Sequence, residues 1–234
     1  GTVTGVQTCA LPIYHEEKAK GGLGLTIIGG STNIAPDSPS VFGQLYAGDD
    51  SIIPWFQRLT DGVHAHGAAV MCQITHMGRR TAWDDGHWLP VASPSAVRER
   101  AHRAFPKTME TEDISRIIGQ FADAAVRVQR GGFDGIELLS HSHLLGQFLS
   151  PLVNQREDDY GGSLHNRMRL TLQVLEAVRE AIGPDMILGM RITGDESSTD
   201  TPGSASQPAI TPPSSGRSSA AWRRQNTTSS SATR

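Results

Sequence analysis

Two histidines separated by one residue, His141 and His143, carry the most conspicuous reactive chemistry in this chain. Residues two apart on an extended strand share a face, so both imidazoles line one pocket mouth if the preceding strand continues through them. Neutral imidazoles in that position can hydrogen-bond a carbonyl or carboxylate of a substrate, or donate a proton. We therefore predict that His141 and His143 are catalytic or substrate-binding residues.

Four apolar runs of strand length organise the chain around these histidines. The runs are Leu23–Gly29, Ala68–Thr75, Phe133–Leu139 and Met186–Thr193. Their nearly continuous apolar character is typical of parallel strands that are covered on both faces.

Helical patterns fill the stretches between the runs. Apolar residues recur every three or four positions from Ile53 to Val63. They recur again after Thr111, which we predict to be the N-cap of a helix that ends at Gly131. A third helix is predicted to begin near Ser163 and to end at Ile182. Alternating strands and helices predict an α/β fold with right-handed crossovers and a parallel sheet.

Polar side chains distinguish a barrel from an open, doubly wound sheet. Gln73, His141 and Arg191 lie toward the C-terminal ends of successive predicted strands, where barrel enzymes build their active sites. Four strands are about half of the eight that a closed barrel needs, so we predict a partial (β/α)8 barrel.

Composition and charge narrow the function classes. Lys and Arg total 21 against 24 Asp and Glu, for a net charge of −3, which argues against a nucleic-acid partner. No apolar run approaches the roughly 18 residues of a membrane span. The two cysteines, Cys9 and Cys72, form no disulfide framework and favour a reducing compartment. We expect a soluble, cytoplasmic protein that acts on a small molecule; the oligomeric state is left open.

The two ends differ in character from the body, which spans residues 14–196. Residues 3–13 resemble the translation of a sequencing-adaptor oligonucleotide, so we interpret 1–13 as an artefact. Residues 197–234 contain 11 Ser, 6 Thr and 4 Pro, with Ile210 and Trp222 as the only large apolar side chains. Such a segment buries too little surface to order itself, and it is either a disordered tail or the product of a shifted reading frame.

Three motifs in the body resemble the old yellow enzyme family of FMN-dependent NADH:flavin oxidoreductases. They are GGFDGIELLSHSHLLGQFLSPLVNQREDDYGGSLHNRMRL at 131–170, QITHMGRR at 73–80 and LGMRITG at 188–194. The resemblance covers essentially all of 14–196, and it implies that strands two to five of the eight barrel strands are present.

The resemblance also implies a flavin and three residues that contact it. Gln73 matches a carboxamide that can donate to and accept from the pyrimidine edge of the isoalloxazine. Arg191 matches a cation that stabilises the negative charge of reduced flavin. Gly30 matches a small residue that lets the backbone approach the ring. NAD(P)H is the implied reductant.

The histidine pair sets this sequence apart within the family. His141 matches a substrate-binding His or Asn, whereas His143 replaces the usual tyrosine proton donor. The stretch SHSHLLGQFLSP is more similar to a subgroup of the family that resembles N-methylproline demethylases and 2,4-dienoyl-CoA reductases. In the demethylases the flavin accepts hydride from an N-methyl carbon. Some relatives also carry a 4Fe–4S cluster in a C-terminal part that this chain lacks.

Two alternatives to an active flavoenzyme stay open at this point. His141 and His143, with Glu137 nearby, have the residue types of a zinc or binuclear amidohydrolase-type metal site. The other alternative is an inactive truncated product, because half a barrel leaves sheet edges unpaired.

The interpretation of the ends is testable in the source DNA. We expect adaptor sequence before Tyr14 and, in another reading frame after about Glu196, a continuing barrel strand and helix. An uninterrupted gene that encodes both ends as they stand would contradict the interpretation.

Overall fold

The computed structural model describes residues 5–38, 43–81, 90–99, 105–194 and 196. The low-complexity segment 197–234 and residues 1–4 lie outside this range, so the predictions about them stay predictions. The predicted boundary between residues 13 and 14 falls inside the first helix.

Helices and strands alternate along the described chain. The helices are α1 (Gly5–Lys20), a 3-10 turn (Asp50–Ile52), α2 (Ile53–His64), α3 (Thr111–Arg130), α4 (Leu144–Leu149) and α5 (Leu164–Ile182). The strands are β1 (Leu25–Asn33), β2 (Ala69–Thr75), β3 (Ala92–Ser93), β4 (Lys107–Thr108), β5 (Gly135–Leu139) and β6 (Ile187–Arg191). Among the described helices, none is long and apolar enough to cross a bilayer.

Four strands form one sheet in the order β1-β2-β5-β6, and every neighbouring pair is parallel. These are the four strands predicted from the apolar runs, although β1 continues four residues beyond its predicted end at Gly29. β3 and β4 pair separately between β2 and α3. The carboxyl ends of the four long strands therefore lie along a single edge.

The helices pack on the sheet through apolar stripes. α3 buries six side chains at helical spacing: Ile114, Ile117, Phe121, Ala124, Ala125 and Val128. Between α2 and the strand β5, the rings of Phe56 and Phe133 meet edge to face at 5.0 Å. Gly131 closes α3 against this pair, since a Cβ there would lie 2.5 Å from the Phe56 Cβ.

The helix caps confirm one prediction and correct another. Ser163 caps α5 by accepting a hydrogen bond from the Asn166 amide, as predicted. The predicted cap Thr111 is instead the first residue of α3, and Glu110 occupies the N-cap position. Glu110 and Asp113 form a reciprocal capping box, which satisfies two amides where a lone Thr111 hydroxyl would satisfy one.

The segment between α4 and α5 is held by side chains that bond backbone carbonyls. Asn154 Nδ2 donates to the carbonyls of Phe148 and Tyr160 at 2.7 Å each. Arg167 Nε donates to the Leu149 carbonyl at 2.8 Å, which ties α5 to the end of α4. These contacts give the stretch DDYGGSLHNRMR, residues 158–169, a part in holding the segment in place.

Candidate active site

The carboxyl edge of the sheet brings together a glutamine, a glutamate and an arginine from three adjacent strands. Gln73 on β2 lies opposite Glu137 on β5, and Arg191 ends β6 opposite Leu139. Gln73 Nε2 donates to Glu137 Oε1, and Arg191 Nε donates to the same oxygen at 3.2 Å. The two side chains predicted to contact a cofactor are thus neighbours, joined by one carboxylate.

The position of Glu137 bears on the metal-site alternative. Its carboxylate bonds Gln73 and Arg191 rather than lying with the histidine pair. Across the described ranges, no group of three His, Cys, Asp or Glu side chains is placed to hold a metal ion. The arrangement therefore does not favour the hydrolase. Sequence reasoning missed the bonding of Glu137 because its partners lie 64 and 54 positions away.

A bulge in β1 lies beside this cluster. Ile28 pairs with Cys72 and Thr32 pairs with Ile74, so three residues of β1 face the single residue Gln73. Gly30 lies in this bulge with φ +83°, a conformation that glycine adopts more readily than residues with a side chain. Apart from its two chain neighbours, no heavy atom of the described residues lies within 4 Å of where its Cβ would be, so the described part of the chain leaves this space open. Bulges of this kind recur next to active sites.

The two histidines do not share a strand face, and that expectation was wrong. β5 ends at Leu139, and the backbone turns through His141 and Ser142 into α4. His141 is exposed, with Nδ1 3.0 Å from Ser142 Oγ. His143 is buried at the N-cap of α4, with Nδ1 2.9 Å from Thr75 Oγ1 at the end of β2.

The surroundings of His143 keep its imidazole neutral. Burial, followed by the charges of Arg80, His141 and His76, lowers the pKa of His143 to about 4. At neutral pH this ring therefore acts as an uncharged donor and acceptor. At that pH it has no second ring proton to give, so it can accept a proton or form hydrogen bonds.

The loop after β2 is fixed by a buried histidine. His76 has no exposed surface; its Nδ1 accepts from the Gly78 amide at 3.0 Å and its Nε2 lies 3.3 Å from Asp37 Oδ1. Burial raises the pKa of Asp37, but hydrogen bonds from His76 and Arg116 outweigh it, so the pKa ends well below its ordinary value. His76 thus orders the loop.

Gln147 on α4 joins the loop after β2 to the loop that carries the histidines. Its Nε2 donates to the carbonyls of Met77 and Ser142, both at 3.0 Å, and its Oε1 accepts from the Arg79 amide at 3.1 Å. The side chain is buried. Sequence reasoning missed Gln147, because a glutamine within an apolar run carries no signal of its distant partners.

Comparison with known proteins identifies the family. The sequence model of the NADH:flavin oxidoreductase / NADH oxidase family matches residues 3–210. The chain belongs to this family. This match confirms the resemblance inferred from the three motifs. The candidate site therefore lies in a member of an FMN-dependent oxidoreductase family.

Two curated relatives within the NADH:flavin oxidoreductase family are more than half identical to this chain. The "Probable N-methylproline demethylase" of Rhizobium meliloti (strain 1021) is 54% identical over 183 residues, which are 78% of this chain and 27% of the relative. The "N,N-dimethylglycine/sarcosine dehydrogenase" of Chromohalobacter salexigens is 54% identical over 185 residues, with the same coverage. The chain thus spans about a quarter of the length of these relatives.

A solved structure supports the fold. Morphinone reductase in complex with tetrahydroNAD superposes with a TM-score of 0.70 at 30% identity, covering 78% of this chain and 54% of the reductase. The predicted fold class is confirmed: the described chain is α/β, with a parallel sheet that forms part of a TIM barrel.

The low pKa of His143 predicts a pH dependence of stability. The folded protein binds the His143 proton more weakly than the unfolded chain does, so stability is lost as pH falls from the ordinary pKa of 6.5 to about 4. The full loss is up to about 3 kcal/mol, since one pKa unit corresponds to about 1.4 kcal/mol. Denaturant unfolding between pH 8 and 4 measures this as the free energy of unfolding at each pH. That free energy should fall less steeply toward low pH in His143→Gln than in the parent protein.

The exposed His165 serves as the matched control, because His165→Gln should leave the slope of the parent protein unchanged. Parallel pH profiles for the parent and His143→Gln would contradict the buried, neutral imidazole.

Proposed function

We propose that this chain supplies strands two to five of the barrel of an FMN-dependent oxidoreductase that passes hydride between flavin and NAD(P)H or a small substrate of the amine or enone type. The observation that carries the proposal is the row of Gln73, Glu137 and Arg191 along the carboxyl edge, beside the open bulge at Gly30. Family membership supplies the chemical frame for that row.

The residues on this edge fit a flavin. The Gln73 carboxamide offers both a donor and an acceptor, the complement that the alternating C=O and N–H groups of a pyrimidine ring need. Arg191 supplies a fixed positive charge, and its side chain is 58% exposed in the described structure. The positive φ and open space at Gly30 let a flat ring approach the backbone. Gly30, Gln73 and Arg191 would therefore hold FMN.

The proposed substrate is an N-methylated amino acid. Support comes from the names of the two relatives, which refer to N-methylproline, N,N-dimethylglycine and sarcosine. When bound, FMN supplies a hydride acceptor, so that an N-methyl carbon which loses hydride becomes an iminium that water converts to formaldehyde and the demethylated amine.

We assign the two histidines different tasks. His141 is exposed, and it would hydrogen-bond the substrate. The neutral His143 has its Nδ1 engaged with Thr75, which leaves Nε2 to contact a ligand or move a proton. Their separation into an exposed and a buried ring makes a division between binding and proton transfer reasonable.

Two further assignments rest on sequence alone. Cysteine usage favours a cytoplasmic location, and the described Cys72 is a buried free thiol. A 4Fe–4S cluster in a C-terminal part stays a prediction from the family resemblance.

Flavin binding provides the first test. The full-length enzyme should purify yellow with FMN, and Gln73→Ala or Arg191→Ala should each weaken FMN retention by ~10- to 100-fold, because each loses about 1–3 kcal/mol of hydrogen bonding. Fluorescence titration of the apoenzyme with FMN measures this. Gln57→Ala and Arg58→Ala, which change exposed residues of the same types on α2, are the controls. A colourless protein with stoichiometric zinc would instead support the hydrolase.

The role of His141 is tested in the two ways of reducing the flavin. His141→Ala should slow reduction by an N-methyl amino acid by ~10²- to 10⁴-fold, the range for one orienting or acid–base group, and should affect reduction by NAD(P)H less. Stopped-flow absorbance separates the two reactions, with the exposed His165→Ala as control. Equal slowing of both reactions would remove the assigned role.

An amine-specific enzyme should also gain no activity on cyclohexenone from His143→Tyr.

A further inference from the structure

Arg80 lies beside the histidine pair in a cluster that we call the Arg80 cluster: Arg80, His141, Ser142 and His143. Arg80 NH1 donates to Ser142 Oγ, which is itself 3.0 Å from His141 Nδ1. The charge of Arg80 is also the leading electrostatic influence on His143 after burial. The guanidinium therefore acts directly on the two rings assigned to the substrate.

Several arginines in the described structure pair with carboxylates. Arg116 pairs with Asp37 at 2.8 Å, Arg127 with Asp50 at 2.8 Å, and Arg156 with Asp158 at 2.5 Å. Arg80 differs from these three, because within the described ranges no Asp or Glu lies within ion-pair distance of it. Its bonded partner there is the neutral hydroxyl of Ser142, so no described carboxylate offsets its positive charge.

The neighbouring cations are already committed to other groups. Arg79 NH1 donates to the carbonyls of Val97 and Arg98 at 2.8 and 3.2 Å. Arg191 donates to Glu137 on the proposed flavin edge. Among these three arginines, Arg80 alone combines contact with the histidine loop and a charge without a counter-ion in the described structure.

Backbone contacts hold Arg80 in place relative to the histidines. The Arg80 amide donates to the Met77 carbonyl at 3.2 Å, and Gln147 binds the Met77 and Ser142 carbonyls together. The loop that carries Arg80 and the loop that carries Ser142 are therefore joined through one buried carboxamide. A guanidinium fixed in this way loses little conformational freedom when an anion binds.

We propose that Arg80 is a specificity-determining residue that binds the carboxylate of the amine substrate. This inference rests on the proposed function and adds to it the residue that holds the carboxylate of the N-methyl amino acid. An arginine donates two parallel hydrogen bonds to a carboxylate, a geometry that a neutral amide or ester cannot reproduce with the same strength. Ser142 orients the guanidinium, and His141 contacts the rest of the substrate.

The test compares a carboxylate ligand with its neutral amide in the FMN-loaded full-length enzyme. Calorimetric titration with L-proline and L-prolinamide measures binding without N-demethylation, and stopped-flow reduction by N-methylproline and its amide measures the reaction. In Arg80→Gln, binding of proline should weaken by ~10- to 100-fold, the loss of a hydrogen bond to a charged group, whereas binding of prolinamide should change by less than about twofold. Arg80→Lys should recover part of the loss.

Arg58→Gln, which removes an exposed arginine from α2, controls for net charge. Equal weakening of both ligands by Arg80→Gln would show a structural role only, and unchanged binding of proline would also overturn the proposal. Failure of the proposed function looks different: no N-methyl compound would reduce the flavin of the parent enzyme. The Arg80-dependent preference for the carboxylate in the titration would still decide the inference.

Discussion

Parallel pairing of β2 with β5 is the constraint on which the rest of the site depends. It sets Gln73 beside Glu137 and brings the end of β2 close enough for Thr75 to contact His143. A parallel ladder requires each strand to return by a helix, so α2, α3 and α5 are consequences of the same pairing. One edge then collects Gln73, Glu137 and Arg191, while most of the buried side chains on the same strands are apolar.

Two buried polar side chains tie together the loops above that edge. His76 and Gln147 bond backbone amides and carbonyls of two loops, the loop after β2 and the loop that carries His141, and the side-chain nitrogen and oxygen of Gln147 both have partners. Buried polar groups cost free energy unless they are bonded, so such fully bonded residues fix a single arrangement. The side chains on these loops that we propose to bind the substrate are therefore held in position before a ligand arrives.

Prediction from the sequence succeeded where a local signal exists. The nearly continuous apolar runs predicted all four strands of the larger sheet, and Ser163 predicted where α5 begins. It failed where the decision depends on tertiary contacts: the turn through His141 and Ser142 and the six-residue helix α4 carry no distinct periodicity. Residue types and the family resemblance predicted that Gln73 and Arg191 contact a cofactor. Their hydrogen bonds to Glu137 could not be predicted, because these side chains meet only when strands that are distant in the sequence pair.

The bulge in β1 also sets the direction in which the end of that strand leaves the sheet. Five residues of β1, from Ile28 to Thr32, face three residues of β2, from Cys72 to Ile74, so β1 carries two residues more than its partner. A bulge of this kind interrupts the ladder of hydrogen bonds, bends the strand and increases its local twist. Gly30 adds a φ of +83°, which departs from the extended conformation of the rest of the strand. Thr32 and Asn33 are therefore aimed by the bulge rather than by the regular pleat of β1.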